Sequence, residues 1–343
     1  MAVVTELRSP ARAPRPVSQP AAGAAVRQAA PAAVGPVAMG VAAIAMVGGS
    51  VAISGVLASA PMYTAEAVRY AVACLLLVLF ARVAGQRLVL PRGTDWLWLG
   101  GVALTGSVLF NIALVRGSGH AEPAVLGVSV ACVPPLLAVL GPLADHKRPG
   151  RAGLAAALVV TCGAALVTGL GRTDAIGVGW AAVVWGCDAA FTLLAMPVLG
   201  RHGPWGVSVH ATWIAAVVYG GIGLLHEGPA AVTRLRPDVW LAVGYLAVIT
   251  AVAFVLWYSA VGRLGAGRAG LLGGVAPIAA AATGVLLGGP APRPLVWAGV
   301  AVVLAGLALG LRVGSSATRR EPPAGPTVSP PPAMSRSRPA TKR

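Results

Sequence analysis

Apolar residues in this chain run in long blocks, without the stripe of a soluble helix or the alternation of a strand. The blocks cover residues 36–57, 62–83, 96–115, 122–143, 151–170, 176–198, 206–226, 239–262, 266–288 and 294–312. Each is about twenty residues, enough to cross about 30 Å of hydrocarbon as a helix. Barrel strands would alternate over about ten residues, and these blocks do not. The pattern predicts an all-α membrane protein with ten transmembrane helices. Outside the blocks, residues 1–35 are rich in Ala, Pro and Arg, and residues 314–343 in Pro, Ser and Arg. Such composition cannot fill a packed core, so both ends are expected to be disordered basic tails. The first tail lacks the early apolar core of a signal peptide, so no cleaved leader is expected.

Composition agrees. Hydrophobic residues make up 57% of the 343 and charged residues only 10%, with a mean hydropathy of +0.80. A soluble domain carries about a quarter charged residues. The formal net charge of +16 would suggest nucleic acid in a soluble protein. Here the positive residues sit in tails and short loops, and aromatic content is 5%. The preference for positive charge on the cytoplasmic side accounts for this better, and nucleic-acid binding is excluded. With the N-terminus inside, 20 of the 26 Lys and Arg fall on cytoplasmic segments and 5 on outer loops. The last, Arg69, lies within a block. That bias supports ten crossings of the cytoplasmic membrane with both termini inside.

The two halves resemble each other. The fourth block contains Val133-Pro134-Pro135-Leu136 and the ninth Val275-Ala276-Pro277-Ile278, each placing proline in mid-span. Each follows a block with an aromatic residue and a terminal arginine, Phe110 with Arg116 and Phe254 with Arg263. Val47-Gly48-Gly49-Ser50 in the first block corresponds to Trp185-Gly186-Cys187-Asp188 in the sixth. Five helices per repeat is odd, so the second copy enters from the opposite side. The reading is two inverted five-helix repeats, 36–170 and 174–312, an arrangement many secondary transporters use for alternating access.

These features resemble the EamA type of the drug/metabolite transporter superfamily. The resemblance rests on Pro61 followed by Ala67-Val68-Arg69-Tyr70, on the mid-span prolines, and on Phe254-Val255-Leu256-Trp257-Tyr258-Ser259-Ala260-Val261-Gly262-Arg263. Two places depart from the family pattern Gly-Glu-Arg. They read Ala144-Asp145-His146-Lys147 and Gly288-Gly289-Pro290, the second without an acid. The resemblance implies export or exchange of small metabolites, amino acids, amines or drugs.

Charge inside hydrocarbon is costly, about 3 kcal/mol at a helix centre on insertion scales, so buried charges usually face a cavity. Three are deep. Asp188, near the middle of the sixth block, is read as a cavity carboxylate that binds substrate or carries a proton; the competing reading is a structural aspartate joining helices. Glu66 and Arg69 share a helix face at i, i+3. Arg69 is a candidate for attracting an anionic group, or the two are a structural pair. Ser50, Asn111, Trp185, His210, Tyr245, Trp257 and Tyr258 are candidate lining residues. The aromatic ones would stack on an organic substrate or cation, or anchor at the interface. His210 is either a proton shuttle or a neutral hydrogen-bonded histidine. Gly306 and Gly310 are read as a close-packing surface. Cys74, Cys132, Cys162 and Cys187 are isolated in apolar surroundings and read as packing residues. No metal, cofactor or nucleotide-binding loop is expected.

The expected function is secondary active transport of a small organic solute, without enzymatic activity. The expected partners are that solute, the bilayer and, as candidate coupling ion, the proton; a monomer is expected. The alternatives are a structural or assembly protein docking through its tails, or a membrane-embedded lipid-modifying enzyme. The short loops, poor in His, Asp and Glu, argue against the enzyme.

Overall fold

The computed structural model describes residues 29–318, apart from 55–56, 58–59, 122, 145, 170–171, 287 and 289–292. Most of both expected tails lies outside the described residues. Their inner ends do not read as coil: helix α1 begins at Ala29 and α12 runs to Thr318.

The described residues are helical, with one isolated bridge between Ala121 and Thr173 and no strand. The order is α1 (Ala29–Ser54), α2 (Met62–Val83), α3 (Asp95–Ala103), a π-helical turn (Leu104–Leu109), α4 (Phe110–Gly117), α5 (Pro123–Ala131) and α6 (Val133–Ala144). There follow α7 (Arg151–Thr168), α8 (Ala175–His226), a 3₁₀ helix (Pro229–Arg234), α9 (Pro237–Leu264), α10 (Ala266–Leu271), a 3₁₀ turn (Leu272–Gly274), α11 (Val275–Leu286) and α12 (Pro294–Thr318).

Seven described segments are long and apolar enough to cross a membrane, fewer than the ten helices expected. The differences have local causes. The sixth and seventh blocks are two helices that meet without an intervening loop, and α8 denotes the pair. The break is at Gly203, whose φ of 64° and ψ of 174° are not helical. Pro204 follows, and a glycine in this conformation before a proline turns the chain within one residue. The ninth block is divided by its 3₁₀ turn next to Pro277. The fourth bends at Cys132, next to Pro134 and Pro135, yet Val125–Ala144 remains one of the seven crossing segments. Proline lacks an N–H and suits the first turn of a helix, where donors are unpaired anyway. Both broken spans therefore restart a helix at their proline. α1, 26 residues long, carries the first block through Ser54.

Packing pairs one half of the chain with the other. α1 lies against α9 and α11, and α8 against α2, α3, α5 and α6, while α7 pairs with α12. Small residues set these distances. A Cβ on Gly48 would sit 2.3 Å from the Ala276 carbonyl oxygen, and one on Gly299 would sit 2.8 Å from the Gly163 oxygen. Gly306 and Gly310, predicted as a close-packing surface, meet Val160 and Leu271. Bilayer lipid is as apolar as these helices, so close van der Waals contact must hold them together. All four cysteines are free, and only Cys162 among them is exposed.

Candidate functional site

A cavity of about 160 Å³ lies where six predicted spans converge. Val47 of α1, Phe110 of α4 and Pro134 of α6 line it from the first half. Asp188 of α8, Trp257 of α9 and Ala276 of α11 line it from the second. These are the first, third and fourth spans of one half and their counterparts of the other. The π turn contributes Gly106 to the lining, and the broken spans contribute Pro134 and Gly273. In the π turn, Gly106 lets Phe191 approach so closely that a Cβ there would overlap the ring.

Asp188 supplies the one charged side chain of this lining, and Thr192 a hydroxyl. Among the described residues no cation or hydrogen-bond donor is paired with Asp188. The rest is apolar and aromatic. Phe191 contacts Phe254 with ring centroids 5.5 Å apart and Tyr258 at 5.3 Å. Trp257 lines the cavity while its buried indole Nε1 has no hydrogen-bond partner among the described residues. Tyr258 is fully buried behind these rings, and its hydroxyl likewise has none.

The structure separates the other deep charges from this cavity. Arg69 faces Glu66 at 2.9 Å, and both are buried. The contact is ionic more than directional, because Glu66 Oε2 and Arg69 Nε make no well-aligned hydrogen bond. The Arg69 guanidinium lies 4.5 Å from the Tyr70 ring centroid, and Tyr70 stacks on Tyr219 at 5.9 Å. Asn111 belongs here too. Its amide donates to the Tyr70 hydroxyl at 3.1 Å and to the Ser107 carbonyl at 2.7 Å. The Tyr219 hydroxyl donates to the carbonyls of Ser107 and Val108 at 3.1 and 3.2 Å. Phenol and amide thus satisfy carbonyls that the π turn displaces from helical pairing. Arg69, Glu66 and Asn111 form a polar cluster, and none of the three lines the cavity.

The remaining predicted residues stand elsewhere. Ser50 is buried in α1 and donates to the Val47 carbonyl at 2.8 Å. Trp185 is partly exposed on an outer groove with Val125 and Val128, its indole donating to the Cys132 carbonyl at 3.0 Å. Tyr245 is exposed. His210 contacts the Val89 carbonyl through Nε2 at 2.9 Å and receives the Trp213 indole N–H on Nδ1 at 3.1 Å. A carbonyl can only accept and an indole can only donate, so these partners assign the neutral Nε2–H tautomer.

Three polar ties escape sequence reasoning. Asp95, at the start of α3, holds Arg201 at 2.7 Å and buried His202 at 3.1 Å. Glu227 reaches the first turn of α2. His120 meets Asp174 at 2.9 Å across two loops. Each joins residues more than fifty positions apart, and only the acid at a helix start, Asp95 or Asp174, is a visible signal.

Residues 34–169 and again 175–312 match the EamA-like transporter family. A relative, "Uncharacterized transporter YetK" of Bacillus subtilis (strain 168), is 25% identical over 279 residues, spanning 78% of this chain and 83% of that protein. A protein of known crystal structure shares the fold, with a TM-score of 0.69 at 18% identity over 82% of this chain and 98% of that one. Two family matches in one chain make it a two-repeat, multi-pass membrane protein. Helices, cavity and paired halves thus have one setting: the chain belongs to the EamA-like transporter family of the drug/metabolite transporter superfamily.

Proposed function

We propose that this chain is a secondary transporter that exports or exchanges a small organic solute across the cytoplasmic membrane. In this reading ten spans form two inverted repeats, 36–170 and 174–312, with both termini inside. The central cavity is the substrate site. Asp188 binds the substrate or carries a coupling proton, and the protein works as a monomer. The carrying observation is the cavity itself, lined by equivalent spans of both halves and holding one carboxylate among aromatic rings. In inverted-repeat transporters substrate sites lie near the midplane between the repeats. An isolated carboxylate in an apolar lining is retained where it meets a ligand or a proton.

The test is uptake and exchange in liposomes, with and without a pH gradient, for wild type and Asp188→Asn. The amide fits the same space without the charge. Gradient-driven accumulation should fall in the variant, and substrate exchange should persist if Asp188 carries only the proton. Equal gradient-driven rates in both proteins would remove Asp188 from the mechanism.

A further inference from the structure

Resting on the reading of the cavity as the substrate site, we infer that its ligand is a monovalent organic cation with an apolar body about the size of one aromatic ring. Three observations carry this. First, the charge has one sign: Asp188 lines the cavity, no Lys, Arg or His does, and Arg69, outside the lining, is engaged by Glu66 and Tyr70. An anion would meet an uncompensated carboxylate. Beside a neutral molecule that carboxylate would have to take up a proton or stay without a counterion in a low-dielectric site, whereas a cation pairs with it directly.

Second, the rings suit a cation. Phe110, Phe191, Phe254 and Trp257 line the same space as Asp188. Aromatic faces attract organic cations through their quadrupole and pack against apolar bodies. A bare metal ion is a poor fit. Hard cations take about six or more oxygen ligands, and the side chains of this lining offer a carboxylate and the Thr192 hydroxyl.

Third, the volume limits the guest. The cavity of about 160 Å³ matches the roughly 150 Å³ of an apolar cavity that admits benzene. Larger multi-ring cations exceed it unless the helices move apart.

The test titrates purified full-length protein in detergent with benzylammonium, benzyl alcohol and benzoate by calorimetry. The three share a ring and differ in charge. Benzylammonium should bind about tenfold or more tighter than benzyl alcohol, a difference of about 1.4 kcal/mol, and benzoate should bind weakest. Asp188→Glu should keep that order, and Asp188→Asn should bring the two stronger probes to similar affinity at an unchanged melting temperature. Equal binding of benzylammonium and benzyl alcohol to wild type, preference for benzoate, or no binding of any probe overturns the inference, and none of these needs a variant that folds. Counterflow of the same probes in liposomes separates this from the transport reading. Cation binding without flux keeps the ligand class and removes transport. Flux of benzyl alcohol or benzoate without cation preference keeps transport and removes the ligand class.

Discussion

Glu227 closes on Thr64 from 163 positions away: its Oε2 accepts the Thr64 backbone N–H at 2.8 Å and the Thr64 hydroxyl at 2.6 Å. Its Oε1 accepts the Tyr63 N–H at 3.0 Å. The first turn of α2 has no side-chain cap of its own, since Pro61 precedes it. A carboxylate from the end of α8 satisfies two of its unpaired donors and complements the helix dipole. Glu227→Ala should therefore lower stability by about 1–2 kcal/mol. Thr64→Val should cost less, because both backbone bonds survive. Thermal unfolding in detergent checks both, and equal losses would contradict the ranking.

Arg69 and Glu66 stabilise each other where both are buried. Arg69→Met alone should be severe, about 3–5 kcal/mol, because it leaves Glu66 buried without a counterion. Glu66→Gln combined with Arg69→Met should recover much of that loss. A double variant as unstable as the single one would show that Arg69 acts through Tyr70 and Tyr219 more than through Glu66.

The crossing of α7 and α12 depends on missing side chains. On Gly299 a Cβ would lie 2.8 Å from both the Gly163 oxygen and the Val167 nitrogen, which are backbone atoms. Gly299→Ala should push the helices apart and cost about 1–3 kcal/mol. Gly153→Ala, on α7 with open space beside it, should be neutral or slightly stabilising by helix propensity, up to about 1 kcal/mol. The two melting temperatures, measured side by side, decide the point.

A pH response is expected at the loop tie between His120 and Asp174. The Gly177 N–H, and after it His120, hold the Asp174 carboxyl below the usual carboxylate range. A carboxyl depressed by folding contributes stability above its unfolded pKa of about 3.9 and loses it as pH falls through the folded value. Asp174→Asn keeps a helix cap without the charge. The melting temperature of wild type should exceed that of the variant at neutral pH, and the gap should close as pH falls below about 4. A gap that widens on acidification would contradict the assignment.

Topology follows from the 20-to-5 charge bias. Reporter fusions after residues 92, 150 and 315 should report cytoplasm, and fusions after 174 and 236 the outside. A cytoplasmic signal after 174 would sink the inverted-repeat reading.

The sequence alone determined that this is a helical membrane protein with two related halves. That information is local. Hydrocarbon admits only long apolar helices that pair their own backbone groups, so a run such as 62–83 states its structure without reference to the rest of the chain. It also marked Asp188 and Arg69 as exceptional, because charge in such a run is rare. Sequence could not say that the two part company, Asp188 lining the cavity with Trp257 and Arg69 held outside the lining by Glu66 and Tyr70. Depth along a helix can be read from position in a run; what a side chain faces depends on which helices surround it. That is decided by close approaches such as Gly48 on Ala276 and by breaks such as Gly203 and Cys132. The carboxylate of Glu227 reaches Thr64 for the same reason: contacts between distant residues exist only once the two halves have packed.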